Sequence, residues 1–242
     1  AMAAIDKSHL RIVAKSVIFG IAYGRGAKAI AVAAKEQGIS ITVAEAQKII
    51  DTIFYMYPGL RPFFGECQAR ATREKRIDDK TGNYDGWLVN CFGRYRRFPP
   101  INEGDRGLAG EFGRQAMNFP IQSMIASVVS RAMAHLYRAR ADAGNQDLFK
   151  ILLQIHDAVL LEVPYEHVRL VAEEILPFVM RECVPIYPTD LEGKATTKEP
   201  YYLGIEADMM LHWGEKLSDE KAEELGLPTG TFVEDGMVVN YT

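Results

Sequence analysis

Arg11, Lys15, Phe19 and Tyr23 recur every four residues between Ser8 and Tyr23, while Val13, Val17 and Ile21 fall on the opposite side of the same stretch. Wound at about 100 degrees per residue, the segment is committed to a helix with an apolar back and a cationic, aromatic front. Ser8 is placed to cap it. Two cations one turn apart suit a polyphosphate, because arginine offers a fork of donors and lysine a compact charge. An aromatic ring one turn further on can cover a base or a sugar. Spacing alone leaves a plainer reading open, a surface helix whose Arg and Lys stems snorkel over a half-buried Phe.

Helical pattern continues from about Gly24 to Lys35, from a Thr42 cap through VAEAQKIIDTIFYMY to Pro58, and from Arg61 to Lys75. The turn-rich DDKTGNYDG then leads into GWLVNCFGRYRRFP, which alternates and turns like a hairpin. From about Ala109 to Arg140 the pattern is helical again, with Pro120 predicting a kink or a division. FKILLQIHDAVLLEVP reads as a tight hairpin of buried strands joined at IHDA. A helix from Tyr165 to about Glu182 and a strand at YLGIEADMML follow. Beyond Trp213 the chain reads as polar loop with one short helix at SDEKAEELG. The class is α+β.

A chain of 242 residues, 48% hydrophobic and 25% charged, has the apolar content for one large domain or two small ones. Its net charge of -4 excludes a surface built throughout to neutralise phosphates, so any nucleic-acid contact must come from local basic clusters. Cys67, Cys91 and Cys183 lie far apart, with no CxxC pair and no histidine spacing for zinc, as expected of buried thiols in a reducing compartment without a structural metal. No apolar run reaches the roughly 18 residues of a membrane span, and AMAAIDKSHL has no signal-peptide pattern. The expected location is intracellular and cytoplasmic.

RIVAKSVIFGIAYG resembles motif B of family A DNA polymerases, R-x3-K-x3-F/Y-G-x2-Y-G, at every defined position. The resemblance implies that Arg11 and Lys15 contact the phosphates of an incoming dNTP, and that Lys15 is the catalytic acid for the leaving pyrophosphate. It implies that Phe19 packs on the nucleotide and that Tyr23 stacks near the templating base. Phe rather than Tyr at position 19 implies discrimination against dideoxynucleotides.

In LLQIHDAVLLEV, apolar runs bracket one His-Asp pair. An ionised carboxylate in a buried strand needs compensation, which a divalent cation can supply. A turn aspartate beside a hydrogen-bonding histidine is the other reading. The string resembles motif C of the same family, usually V-H-D-E: His156 and Asp157 match, Gln154 matches the polar residue two before the histidine, and Ala158 stands where Glu is usual. The resemblance implies Asp157 as a catalytic ligand of a two-metal site holding Mg2+, or Mn2+ in its place, with Gln154 and His156 beside the DNA. Glu162, an even step along the strand, could share that face.

Arg114, Asn118 and Gln122 recur every four residues, which suits either local side-chain bonding or minor-groove acceptors. They match the family's R-x3-N-x-P-x-Q, which implies contacts to primer–template DNA. GRYRRFP adds Arg94, Arg96 and Arg97 with Tyr95 and Phe98, as a basic hairpin for phosphates.

The resemblance spans Ser8 to Trp213 and implies part of a right-hand polymerase, its C-terminal portion. That portion comprises helical fingers over residues 1–105, with the nucleotide-binding helix at 8–23, and a palm with antiparallel sheet over 106–242, with the motif C hairpin at 150–163. Motif A and the thumb have no counterpart, so the expected partners are primer–template DNA, dNTP and a second polypeptide carrying motif A and the thumb, as in a split phage-type enzyme. Without it the chain is expected to be inactive. Two other readings are a non-catalytic DNA- or nucleotide-binding remnant, which Ala158 would suit, and a relative of single-subunit RNA polymerases.

Overall fold

The computed structural model describes residues 14, 17–36, 38–72, 86–99, 101, 105–142, 144, 147–205, 207–211, 217–227, 230–234 and 237–241. It is an α+β protein, helices with small antiparallel hairpins, and it divides into two compact units, 1–122 and 123–242.

The first unit begins with four helices in the expected order: α1 (residues 17–22), α2 (Ala27–Glu36), α3 (Val43–Met56) and α4 (Leu60–Thr72). The Thr42 cap forms as a full capping box. The Thr42 hydroxyl accepts from the Glu45 N–H at 3.2 Å, and the Glu45 carboxylate accepts from the Thr42 N–H at 2.7 Å. α3 ends at Met56, where the proline at 58 disfavours helical geometry for Tyr57, whose φ of -125° and ψ of 72° leave the helix. The apolar backs of α1 to α3 meet in one core of Val17, Ile21, Ile30, Ala31, Ala46 and Ile50, flanked by Ile53, Phe54 and Phe64. Each large side chain buried this way contributes about 1.5–3 kcal/mol.

GWLVNCFGRYRRFP forms the expected hairpin, β1 (Trp87–Val89) and β2 (Tyr95–Arg97), with Val89 opposite Tyr95 and Trp87 opposite Arg97. Leu88 and Val89 are buried while all of β2 is exposed. Asn90, itself buried, organises the connection: its side-chain Oδ1 accepts from the backbone N–H groups of Phe92 and Arg94, both at 2.9 Å. Gly93 takes the left-handed φ of 79° that closes the turn.

Helix α5 runs unbroken from Arg106 to Asp142, so the division expected at Pro120 does not occur. Proline removes one backbone donor, but the flanking turns are held by packing, with Ala116 and Met117 buried before it and Val128, Val129, Ala132 and Leu136 after it. The unit boundary falls within this helix, after Gln122.

In the second unit, β3 (Lys150–Ile155) and β4 (Ala158–Glu162) pair antiparallel with Ile155 opposite Ala158, which leaves His156 and Asp157 as a two-residue turn. Ile151, Val159, Leu161 and Val163 pack on a core of Leu136, Leu148, Phe149, Val171 and Val179. The hairpin forms as expected, but its strands are buried only in part: Leu152, Leu153 and Ile155 are exposed. A helix over 165–182, α6, follows as expected and is π-helical at Val171–Ile175 and Phe178–Glu182.

No strand forms over the described residues of 202–211; the nearby pairings are isolated bridges, Ile186 with Tyr201 and Thr189 with Ala195. A strand needs a neighbour to pair its backbone, and Gly204 interrupts the apolar alternation on which the expectation rested. The short helix α7 (Asp219–Glu224) is capped by the Ser218 hydroxyl, which accepts from the Lys221 N–H at 3.3 Å. A hairpin of β5 (Gly230–Glu234) and β6 (Met237–Tyr241) replaces the expected loop.

Candidate nucleotide and DNA interface

Helix α1 has the two faces its sequence requires. Val17 and Ile21 are buried at 3% and 6% exposure, whereas Phe19 and Tyr23 stand at 50% and 41%. Arg11 and Lys15 lie outside the described residues. The glycines of the same string have physical causes that periodicity does not reveal. A Cβ on Gly20 would come within 3.2 Å of the Ile30 side chain, so its absence lets α1 approach α2. Gly24 has φ of +67°, and a Cβ there would meet the Met117 methyl at 2.7 Å.

The first part of α5 reaches this same end of α1. Asn118 donates from its amide nitrogen to the Ala22 carbonyl at 2.9 Å and to the carbonyl of Arg114, one turn back, at 3.0 Å. Gln122 donates to the Tyr23 hydroxyl. The four-residue spacing thus brings two of its three members onto the terminus of the aromatic helix. The Asn118 donors are engaged by protein carbonyls, so its side chain holds α1 to α5. Nearby, the Arg96 guanidinium donates to Gln115 of α5 and lies 5.4 Å from the Phe98 ring centre, tying the basic hairpin to the same helix. Arg94, Tyr95 and Arg97 are exposed.

In the second unit Gln154, His156 and Asp157 cluster at the tip of the β3–β4 hairpin, all exposed. Gln154 donates to the His156 carbonyl at 3.3 Å, and His156 has a left-handed φ of 52°. The Asp157 carboxylate therefore sits on a solvent-facing turn and not in a buried strand, so the desolvation argument for a compensating cation does not apply to it. Ala158, next in line, is exposed and brings no carboxylate. Glu162 lies four residues along β4, about 13 Å at the usual strand rise, and is paired with Lys150. Among the described residues no group of three or more His, Cys, Asp or Glu side chains is gathered for a metal. One exposed carboxylate fits a hard cation as a single ligand, with substrate oxygens and a further carboxylate to complete its shell.

None of the three cysteines is in a disulfide, but of the thiols expected to be buried only Cys67 is, while Cys91 and Cys183 are partly exposed. Cys67 is fully buried, and burial, reinforced by the neighbouring Glu66 charge, pushes its thiol up to about 12. Burial raises the Cys183 thiol as well. Among the described residues no helix is long and apolar enough to cross a membrane.

The family model described as DNA polymerase family A matches residues 2–191. The chain belongs to DNA polymerase family A. This family A chain is 31% identical over 193 residues to DNA polymerase I of Chloroflexus aurantiacus, a match covering 78% of this chain and 18% of that protein. DNA polymerase I of Streptococcus pneumoniae is 31% identical over 183 residues, covering 74% and 19%. The thermostable DNA polymerase I of Thermus aquaticus is 29% identical over 180 residues, covering 73% and 19%. The chain thus spans about a fifth of the length of these relatives. Among solved structures it is similar to the POL domain of Pol1 from M. smegmatis, in complex with DNA primer-template and dNTP. That likeness has a TM-score of 0.58 at 28% identity and covers 73% of this chain and 28% of that one.

Proposed function

We propose that this family A chain takes part in template-directed DNA synthesis, the transfer of a nucleotide from dNTP to a primer 3'-hydroxyl. The observation that carries the reading is α1: Phe19 and Tyr23 stand exposed, one turn apart, on the face where Arg11 and Lys15 recur in sequence, while Val17 and Ile21 anchor the back. The M. smegmatis neighbour is a complex with primer-template and dNTP, which supports the same substrates for this chain.

Arg11 and Lys15 bind the triphosphate, and Lys15 delivers a proton to the departing pyrophosphate. Phe19 packs on the sugar and base, and Tyr23 lies by the templating base. Arg114 and Gln122 meet the minor groove of the primer–template, with Asn118 holding the helices that carry them. Gln154 and His156 flank the primer end, and the exposed arginines of β2 contact phosphates. In this reading residues 1–105 are the fingers portion and 106–242 the palm portion. Asp157 would be one ligand of a two-metal Mg2+ site, where one cation would lower the pKa of the 3'-hydroxyl and the other would neutralise the triphosphate. A second carboxylate comes from a motif A segment supplied by further polypeptide, since one aspartate cannot position two cations.

Ala158 favours a second reading, a non-catalytic binding remnant. A primer-extension assay separates the two, with the chain alone and with a polypeptide carrying motif A and the thumb, in Mg2+ and with dNTP or rNTP. The polymerase reading expects dNTP-dependent extension by the combination, loss of it in Asp157→Asn, and none by the chain alone. Tight primer–template binding with no extension by the combination would establish the remnant.

A further inference from the structure

The two bonds from α5 to the end of α1 differ in character. Asn118 to the Ala22 carbonyl is partly buried and grips backbone, whereas Gln122 and the Tyr23 hydroxyl are both solvent-facing side chains. A hydrogen bond between exposed groups is easily exchanged for another partner, while a buried one to backbone is not. The peptide beside Tyr23 is also fixed, because Gly24 is left-handed and lies against Met117. The ring and hydroxyl of Tyr23 are therefore the movable part and the Asn118 contact the fixed one.

We propose that Asn118 and Gln122 form a two-point clasp on α1, and that a primer–template duplex opens only its outer point by taking the Gln122 amide, which releases the Tyr23 ring. The proposal rests on the reading of Gln122 as a duplex contact. The minor groove presents acceptors at every base pair, so the exchange is independent of sequence. The free protein then holds Tyr23 against α5, and the ring becomes available only after the duplex has bound. The clasp imposes an order, DNA before the step that uses Tyr23.

Equilibrium binding of a fluorescein-labelled primer–template hairpin by the full chain tests this, read by anisotropy for parent, Tyr23→Phe, Gln122→Ala and the double variant. Removing the hydroxyl frees the amide, so Tyr23→Phe is expected to tighten binding about 2- to 10-fold, the range of one net hydrogen bond. Gln122→Ala weakens binding, and in its background Tyr23→Phe has no further effect. Unchanged or weaker binding by Tyr23→Phe, with Gln122→Ala still weakening, overturns the clasp while leaving the groove contact intact. Parent-like binding by Gln122→Ala overturns the groove reading and the exchange with it. The free-state half is read without DNA in side-chain amide NMR. Tyr23→Phe should move the Gln122 signals towards those of a solvated glutamine, and unmoved signals overturn the clasp.

Discussion

Lys150 and Glu162 face each other across the β3–β4 hairpin, Nζ to Oε1 at 2.8 Å, at the end of the ladder remote from Asp157. The hydrogen bond to Glu162, then the Glu162 charge, raises the Lys150 ammonium above the ordinary value of 10.5. A raised pKa means that the pair contributes below the ordinary lysine value and is lost as pH rises through the shifted one. Glu162→Gln should therefore return Lys150 towards 10.5 in an NMR titration. With both groups in solvent, the melting temperature at neutral pH should hardly move. The divalent-cation dependence of extension should stay that of the parent, because Glu162 lies at the wrong end of the strand to replace the carboxylate absent at Ala158.

Removing the Thr42 hydroxyl takes away one half of the α3 capping box, the bond it accepts from the Glu45 N–H, and leaves the bond from the Thr42 N–H to the Glu45 carboxylate. Thr42→Ala is expected to cost about 1 kcal/mol in denaturant unfolding, the usual loss for an N-cap. The bond from the Thr42 backbone, then that from its hydroxyl, lowers the Glu45 pKa from 4.5. A lowered carboxylate stabilises above its ordinary value and loses that contribution as pH falls through the shifted one. The parent should therefore shed part of its α3 stability on acidification below about pH 4.5, and Glu45→Gln should be flatter across that window. Equal pH dependence for parent and Glu45→Gln would contradict the box.

Thr42, α3 and the β1–β2 hairpin were legible in sequence because their causes are local: a cap three residues before Glu45, a stop at Pro58, and alternation broken by a glycine turn. What was not legible depended on partners distant in sequence. Nothing near Asn118 announces that its amide meets Ala22, and nothing near Gly24 announces Met117. Of the kink or division that Pro120 predicts, the division fails because the rule for proline is local, whereas the continuity of α5 is set by what packs on either side. The β5–β6 hairpin did have a local signal, Asp235-Gly236 between TFVE and MVVN, obscured by the polar stretch that precedes it.

Cys67 should be inert to alkylation in the native protein. Its thiol is held near 12 and is fully buried, so the thiolate that reacts is scarce at neutral pH. Iodoacetamide followed by peptide mass mapping should label Cys67 only after denaturant is added. Labelling of Cys67 at the rate of a free thiol in native buffer would contradict the packing of α4.

Leu136 is fully buried beside Leu148, Phe149 and Val171. Truncation there removes contacts from α5, the approach to β3 and α6 at once. Leu136→Ala is expected to cost about 2–5 kcal/mol, the range for a large side chain lost from a packed core. Tyr137→Ala, on the neighbouring exposed position, should cost far less. Urea titrations of the two variants give the comparison.

His156 is the one described non-glycine residue with positive φ, at 52°, and it immediately precedes Asp157. A two-residue hairpin turn demands that geometry, which histidine tolerates better than a β-branched residue does. The conformation costs an L-residue roughly 1–2 kcal/mol that glycine escapes. His156→Gly should therefore leave stability equal to the parent or slightly higher, while His156→Val should lower it by a comparable amount. If the imidazole also serves the DNA, the variants separate the roles. His156→Gly would then keep the fold and the Asp157 position but weaken primer–template binding. His156→Asn, which also accepts left-handed φ, would keep both the fold and a polar group. A stability loss in His156→Gly equal to that in His156→Val would show that side-chain contacts, and not the turn, hold this residue in place.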